Sequence, residues 1–374
     1  MEYNNYNTGV TEQEIGNGVK DNQGCVYSQD GKRLLKAASD LKTYTIKEGT
    51  EVICNGSFQG CSELLSVELP DSVKAIGDDA FGCEKLQSVK LSESLEVLYS
   101  GAFLFCSSLK SILFPKSLTK ICSYAFWGCE ALESVVFADT PVDIEDNVFK
   151  DCESLKTIEL PKSIARIGGN AFPKGIKITS HSDRYVVKDD LFIDLKERRI
   201  VQCLKNKESV EIPKDIVEID IAAFEDCDLL QKIELPATLT KIGKDAFSAC
   251  WALQSITLPE TVTSIGDGAF FLCSELKDVT MFDSVEKIEK DTFLKCKSLG
   301  RIYVPMGKKE LYGENLKKRQ QRLIKEIDYR NSYDFYEKVE EAKKREIKKG
   351  KIINLLEVII FLVVCIFLFW INTK

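Results

Sequence analysis

Apolar and polar positions alternate along this chain in a unit that returns every 22 or 23 residues. Phenylalanine marks the beat at Phe58, Phe81, Phe103, Phe126, Phe149 and Phe172, then at Phe224, Phe247, Phe270 and Phe293. A cysteine follows two or three residues later in nine units, from Cys61 to Cys296. It is missing after Phe172, where Pro173 and Gly175 stand instead. Aligned on the cysteine, each unit carries a leucine (Leu64, Leu109, Leu253) and then two apolar residues separated by a polar one (Val67 and Leu69, Ile256 and Leu258). That alternation is the period of a half-buried strand. Proline often follows, as at Pro70, Pro115 and Pro259, and its missing N–H ends the strand. The second half of the unit places Ile or Leu five residues before Phe (Ile76, Ile121, Ile242), with Gly next in several units (Gly77, Gly168, Gly243, Gly266). This predicts a second short strand followed by one helical turn. A single unit cannot bury its apolar side, so the units must stack into a repeat solenoid of mainly short β-strands.

Written as Leu-x-x-Ile-x-Leu-Pro and Ile-Gly-x-x-Ala-Phe-x-x-Cys, the unit resembles the BspA-like leucine-rich repeat family over residues 24–305. The missing cysteine after Phe172 and Met281-Phe282 in place of Leu-Pro depart from that pattern. The resemblance implies a leucine-rich repeat fold. It also implies a surface or secreted protein of bacteria or protists that binds other proteins.

The beat is broken once, between Phe172 and Phe224, which lie 52 residues apart. Leu191–Ile200 repeats the strand, polar turn, strand pattern of Val26–Leu35 near the N-terminus. Asp30-Gly31 is a good hairpin signal. Each hairpin is expected to cap the start of an array, where an open sheet edge invites association. The chain therefore divides into array 1 with its hairpin (24–178) and a hairpin with array 2 (179–305). Residues 1–23 are polar and are expected to be disordered.

Composition changes after Pro305. Residues 306–351 hold 15 Lys and Arg against 9 Asp and Glu, and read as a charged helical stalk, with helices over Lys308 to about Arg330 and Ser332–Lys349. Residues 352–371 are the one membrane-length apolar run, about 30 Å as a helix, and predict a single transmembrane helix followed by a short tail, 372–374. Lys343, Lys344, Arg345, Lys348, Lys349 and Lys351 precede it, against Lys374 alone beyond. Positive flanks stay cytoplasmic, and the N-terminus shows no secretory apolar core. The charges thus favour repeats on the cytoplasmic side of a membrane, whereas the resemblance implies an extracellular location.

The net charge of −7 argues against nucleic acid as a partner. Nine of the 14 cysteines sit in the repeat column, and the favoured reading is a buried ladder in which each thiol meets a backbone carbonyl. A disulfide framework is the alternative, although the ladder is uniform and odd in number. No C-x-x-C calls for zinc. His181, in Ser180-His181-Ser182-Asp183, is the sole histidine, and adjacent residues of one loop do not converge as a catalytic triad does. Without a phosphate-binding loop or a nucleophile elbow, a non-enzymatic chain without cofactor or metal is expected. What remains is a surface for a protein partner. Leu113 and Val136 would stand side by side on the outward strand face, with Tyr303 in the same column. Leu104, Phe105 and Trp127, then Phe271 and Leu272, would line the turn edge. The expected function is a membrane-anchored protein-binding scaffold, the alternative a cell-surface adhesin for host or matrix proteins.

Overall fold

The computed structural model describes residues 6–327 except 287, 290 and 315. Each repeat makes one coil with two strands; the short strands of successive coils pair in parallel in one sheet per array, and the long strands pair in parallel in separate sheets of two to four, with identical repeat positions opposite each other. In the long-strand ladder Ser66–Glu68 pairs with Ser88–Lys90, and Ser111–Leu113 with Ser134–Val136. In the short-strand ladder Ile53, Ile76, Leu98, Ile121, Ile144 and Ile167 lie in one inward row. That row and the leucines, valines and phenylalanines between the ladders form a core running the length of the array.

Phenylalanine is the spine of this core. The rings of Phe58, Phe81, Phe103, Phe126 and Phe149 stack in sequence with centroids 4.4, 4.8, 5.1 and 5.4 Å apart. Phe224, Phe247, Phe270 and Phe293 repeat the stack at 5.1, 5.4 and 5.6 Å. Such offset stacks add about 0.5–1.5 kcal/mol per pair beyond burial. The segment around each phenylalanine is a run of tight turns, such as Ser57 N to the Cys54 carbonyl and Cys61 N to the Phe58 carbonyl, rather than the expected helical turn. Where a glycine follows the inward isoleucine, it lies against the preceding coil. A Cβ on Gly168 would sit 2.6 Å from the Glu145 carbonyl carbon, and one on Gly243 2.6 Å from that of Asp220.

The cysteine column is a ladder of thiols. Cys129, Cys152, Cys250 and Cys273 donate to the carbonyls of Phe103, Phe126, Phe224 and Phe247 in the preceding coil, at 3.1–3.2 Å. Burial pushes the Cys106 thiol up to about 12. All 13 cysteines of the described residues are free and buried.

Both hairpins form, and each belongs to a three-stranded antiparallel unit that opens a short-strand ladder. Val19–Lys20, Val26–Tyr27 and Arg33–Lys36 open the first; Tyr185–Lys188, Leu191–Asp194 and Arg199–Cys203 open the second. The second unit also closes array 1. Phe192, Val201 and Leu204 pack into the first core, while Leu191, Ile193 and Ile200 pack into the second. Polar side chains tie the joint. Asp194 is fully buried between Arg184 (2.7 Å) and Arg199 (3.3 Å), and Arg199 also pairs with Asp220. Lys150 of array 1 reaches Glu225 of array 2 at 2.6 Å, and Asn170 Nδ2 donates to the same carboxylate at 3.0 Å.

Three expectations are corrected. The N-terminal residues from 6 onward are ordered. Helix Glu12–Asn17 is held by a capping box between Thr11 and Glu14, and Arg33 bridges to Glu14 at 2.7 Å. The segment lies over the outer face of the short-strand ladder, where Tyr6, Val10 and Ile15 cover Val52, Cys54, Ala75 and Val97. That outward row turns charged in the next coils, at Lys120, Asp143 and Arg166, so the apolar strip has the length of its cover. A polar composition concealed these three apolar contacts. Second, the helix expected from Lys308 to Arg330 is replaced, as far as the described residues run, by two short helices, Lys309–Gly313 and Lys318–Gln321, and a strand, Ile324–Ile327. The strand pairs with Arg301–Pro305, and Tyr312 is buried over the last coil with its hydroxyl donating to the Val285 carbonyl at 2.6 Å. The open end of the core outweighs helix propensity here. Third, the turn segments replace one helical turn per coil, as described above. The expected helix Ser332–Lys349 and the membrane-length run 352–371 lie outside the described residues. Among the described residues no helix is long and apolar enough to cross a membrane.

Candidate functional site

The strand face is built by the ladder register. With inward Ile112 and Val135 buried, their neighbours must point out, and pairing places Leu113 opposite Val136. Leu113 is 65% exposed and Val136 49%. Serines 111 and 134 stand exposed on the same strands. The two coils before Leu113 carry in the same column the ion pair of Glu68 with Lys90 (2.6 Å), and one coil after Val136 Glu159 is exposed. An apolar centre with a polar rim is the anatomy of a protein-binding patch. Tyr303, in the same column of the second array, is half-buried, with the Arg301 guanidinium 5.8 Å from its ring centre and Arg301 held by Asp278 at 2.6 Å.

The turn edge gathers a second group. Phe105 is 50% exposed on a left-handed backbone (φ 56°), and its ring centre lies 5.4 Å from that of Trp127. Tyr124 also lies against the indole, with ring centres 5.5 Å apart. The Trp127 Nε1–H donates to Asp151 at 2.7 Å, which fixes the indole plane. Gly128 makes room, since a Cβ there would come within 2.4 Å of the Phe105 ring. Leu104 is half-buried beside this group. Phe271 and Leu272 occupy the matching turn of array 2, half-buried, with Lys295 Nζ 5.2 Å from the Phe271 ring centre. They belong to a separate array and form no part of the Phe105–Trp127–Tyr124 cluster.

Sequence reasoning missed Tyr124 and Trp251. Trp251 is 52% exposed directly after the column cysteine, where other coils carry Ser62, Glu84, Ser107, Glu130 or Asp228. A large aromatic in a polar column was the available signal. Tyr124 carried the same signal, since it stands two residues before Phe126 where other coils carry Asp79, Gly101, Asn147, Asn170, Asp245 or Gly268 on the same left-handed backbone. His181 is exposed, and its backbone N–H donates to the Leu160 carbonyl; Ser182 Oγ accepts from Arg184 N at 3.2 Å. Ser180 Oγ is engaged with Ser182.

Parallel coils, phenylalanine spine and turn edge define a leucine-rich repeat solenoid. The chain belongs to the BspA-type leucine-rich repeat family, whose six-copy region model matches residues 31–153, 119–184 and 200–320. Similar solved structures include a leucine-rich cell surface protein from Faecalibacterium prausnitzii A2-165, at 23% identity and TM-score 0.55, covering 83% of this chain and 98% of that one. The pneumococcal vaccine antigen PcpA is similar at 21% identity and TM-score 0.56, covering 84% of this chain and 100% of that one. A leucine-rich repeat protein from Eubacterium ventriosum ATCC 27560 matches at 24% identity and TM-score 0.53, over 71% of this chain and 66% of that one. At these identities the likeness shows the fold alone. No curated protein matches the chain. A repeat fold of this family suggests a protein-binding or surface protein.

Proposed function

We propose that this protein is a non-enzymatic scaffold that binds another protein on the long-strand face of array 1 and is tethered to a membrane through residues 352–371. The pairing of exposed Leu113 with exposed Val136 carries this reading. The Phe105–Trp127–Tyr124 cluster supplies a second anchor of rigid aromatic area. Truncating a hot-spot side chain at an interface costs about 2 kcal/mol or more, and tryptophan and tyrosine are enriched among such residues. The tether rests on the apolar run, and the basic residues before it favour repeats on the cytoplasmic side.

A second reading, an exposed adhesin, is favoured by the similarity to the Faecalibacterium cell surface protein. Protease applied to intact cells separates the two. Survival of the repeats supports the cytoplasmic scaffold, and their loss supports the adhesin. Binding itself is tested with the full chain as bait. Leu113→Ala with Val136→Ala should release at least nine-tenths of a retained partner. Full retention of that partner by the double variant, with Trp127→Ala added, overturns the proposed surface.

A further inference from the structure

Two arginines show how this chain seats a cation. The Arg184 guanidinium lies 5.2 Å from the ring centre of Tyr185, and its Nε and Nη2 donate to the two oxygens of Asp194 at 3.0 and 2.7 Å. The Arg301 guanidinium lies 5.8 Å from the ring centre of Tyr303, and its Nε and Nη2 donate to the two oxygens of Asp278 at 2.6 and 2.9 Å. In both places an aromatic ring and one aspartate hold a planar cation. The ring quadrupole attracts the charge, and the carboxylate accepts the paired N–H groups. The turn edge of array 2 uses the same attraction, since Lys295 Nζ lies 5.2 Å from the centre of Phe271 in the coil before.

The turn edge of array 1 has the rings and the aspartate but no cation of its own. Phe105, Trp127 and Tyr124 form one aromatic group at the surface, with Phe105 50% and Tyr124 40% exposed. Asp151 stands exposed at the edge of the indole, where its Oδ2 accepts from Trp127 Nε1 at 2.7 Å. Its Oδ1 has no hydrogen bond among the described residues. The adjacent Lys150 is turned away, with Nζ 2.6 Å from Glu225. Lys295 stands two residues after Phe293; two residues after Phe126 stands Gly128, with the Phe105 ring against it. Among the described residues no lysine or arginine faces these three rings. The surrounding coils are acidic, with 16 Asp and Glu against 7 Lys and Arg over residues 51–151.

We propose, resting on the protein-binding reading above, that this turn-edge group receives an arginine from a basic segment of the protein partner. The guanidinium lays its flat face against the exposed rings and donates to Asp151, as Arg301 donates to Asp278 beside Tyr303. Arginine suits the site better than lysine. Its planar fork stacks and donates in pairs at once, whereas an ammonium is a compact and strongly hydrated charge. The acidic coils draw a basic segment toward the site and disfavour an acidic one.

The test uses the full chain in detergent and a fluorescein-labelled Arg-Gly-Ser repeat peptide, with binding read by fluorescence anisotropy. The same peptide with citrulline for arginine keeps the shape, loses the charge, and should bind at least about tenfold more weakly. Trp127→Ala and Asp151→Asn should each weaken the arginine peptide roughly three- to tenfold. Asparagine keeps an acceptor for the indole N–H, so Asp151→Asn removes the charge and leaves the aromatic group in place. Trp251→Ala, which removes an exposed indole of array 2, should leave binding unchanged. A citrulline peptide that binds as tightly as the arginine one overturns the proposal. Equal affinity of the parent and of a Trp127→Ala chain with matching circular dichroism also overturns it. If Leu113→Ala with Val136→Ala still releases a retained partner in that case, the scaffold reading stands and only the arginine is lost.

Discussion

The Gln320 side-chain amide donates to the Phe293 carbonyl at 2.6 Å, in the place where Cys296 donates to Phe270 one coil earlier. The same replacement closes array 1, where Gln202 Nε2 donates to the Phe172 carbonyl at 2.6 Å and Gln202 Oε1 accepts from Phe172 N at 3.2 Å. Both glutamines are buried. Each array thus ends its thiol ladder on an amide, a longer side chain that reaches back from a capping element in a different path.

Gln320→Ala leaves the buried Phe293 carbonyl without this donor and is expected to cost about 1–3 kcal/mol. Gln202→Ala should cost more, since Gln202 also donates to Asn170 Oδ1 at 3.0 Å. Denaturant unfolding followed by circular dichroism measures both, and a Gln320→Ala midpoint equal to that of the parent would contradict the capping role.

Phenylalanines one coil apart differ in kind. Phe126→Ala opens a cavity in the middle of the ring stack and is expected to cost about 3–5 kcal/mol. Phe105→Ala removes a half-exposed ring and should change stability by about 0.5 kcal/mol or less while weakening partner binding. Equal unfolding midpoints for the two variants would refute this division.

Burial pushes the Asp194 carboxyl up, but hydrogen bonds from Arg184 and the Glu197 backbone, with the charges of Arg184 and Arg199, outweigh it and hold the group below the usual carboxylate range. A depressed carboxylate contributes stability that is present above its unfolded value of about 4 and is lost as pH falls through the folded value. Asp194→Asn leaves buried Arg199 short of a partner and should cost about 3–5 kcal/mol at pH 7. The gap between parent and variant should narrow below pH ~4. A gap that stays constant from pH 7 to pH 3 would rule out this source of acid sensitivity.

Removing residues 1–18 uncovers the strip of Val52, Cys54, Ala75 and Val97. Cys54 is fully buried beneath this segment. The truncated chain should alkylate at Cys54 at least tenfold faster than the parent, with Cys83 and Cys106 unchanged. Equal labelling would mean that the segment does not hold its place in solution.

Much of the scaffold was legible because it repeats. Leu113 and Val136 were recognisable as outward neighbours, since a period-2 strand with a known inward residue leaves no choice for the next position. Phe105 and Trp127 were legible as large residues in a polar column. Tyr124 was legible in the same way, because the left-handed turn is marked by Asp, Asn or Gly in most other coils and a tyrosine there stands out. The ordered segment before Lys20 was hidden, because Tyr6, Val10 and Ile15 are too few and too irregular to register as a buried face.

The sequence by itself determined the coil, its two ladders and the phenylalanine spine, because each copy repeats the same local choice and stacking multiplies it. Tertiary structure alone decided what happens where the repetition stops. Gln320 meets Phe293, Tyr6 meets Tyr99, and Lys174 meets Cys227 across 27, 93 and 53 residues of chain. No period connects such pairs. They form because an array must close its open ends and cover its apolar strip, and the chain returns from a distance to do so.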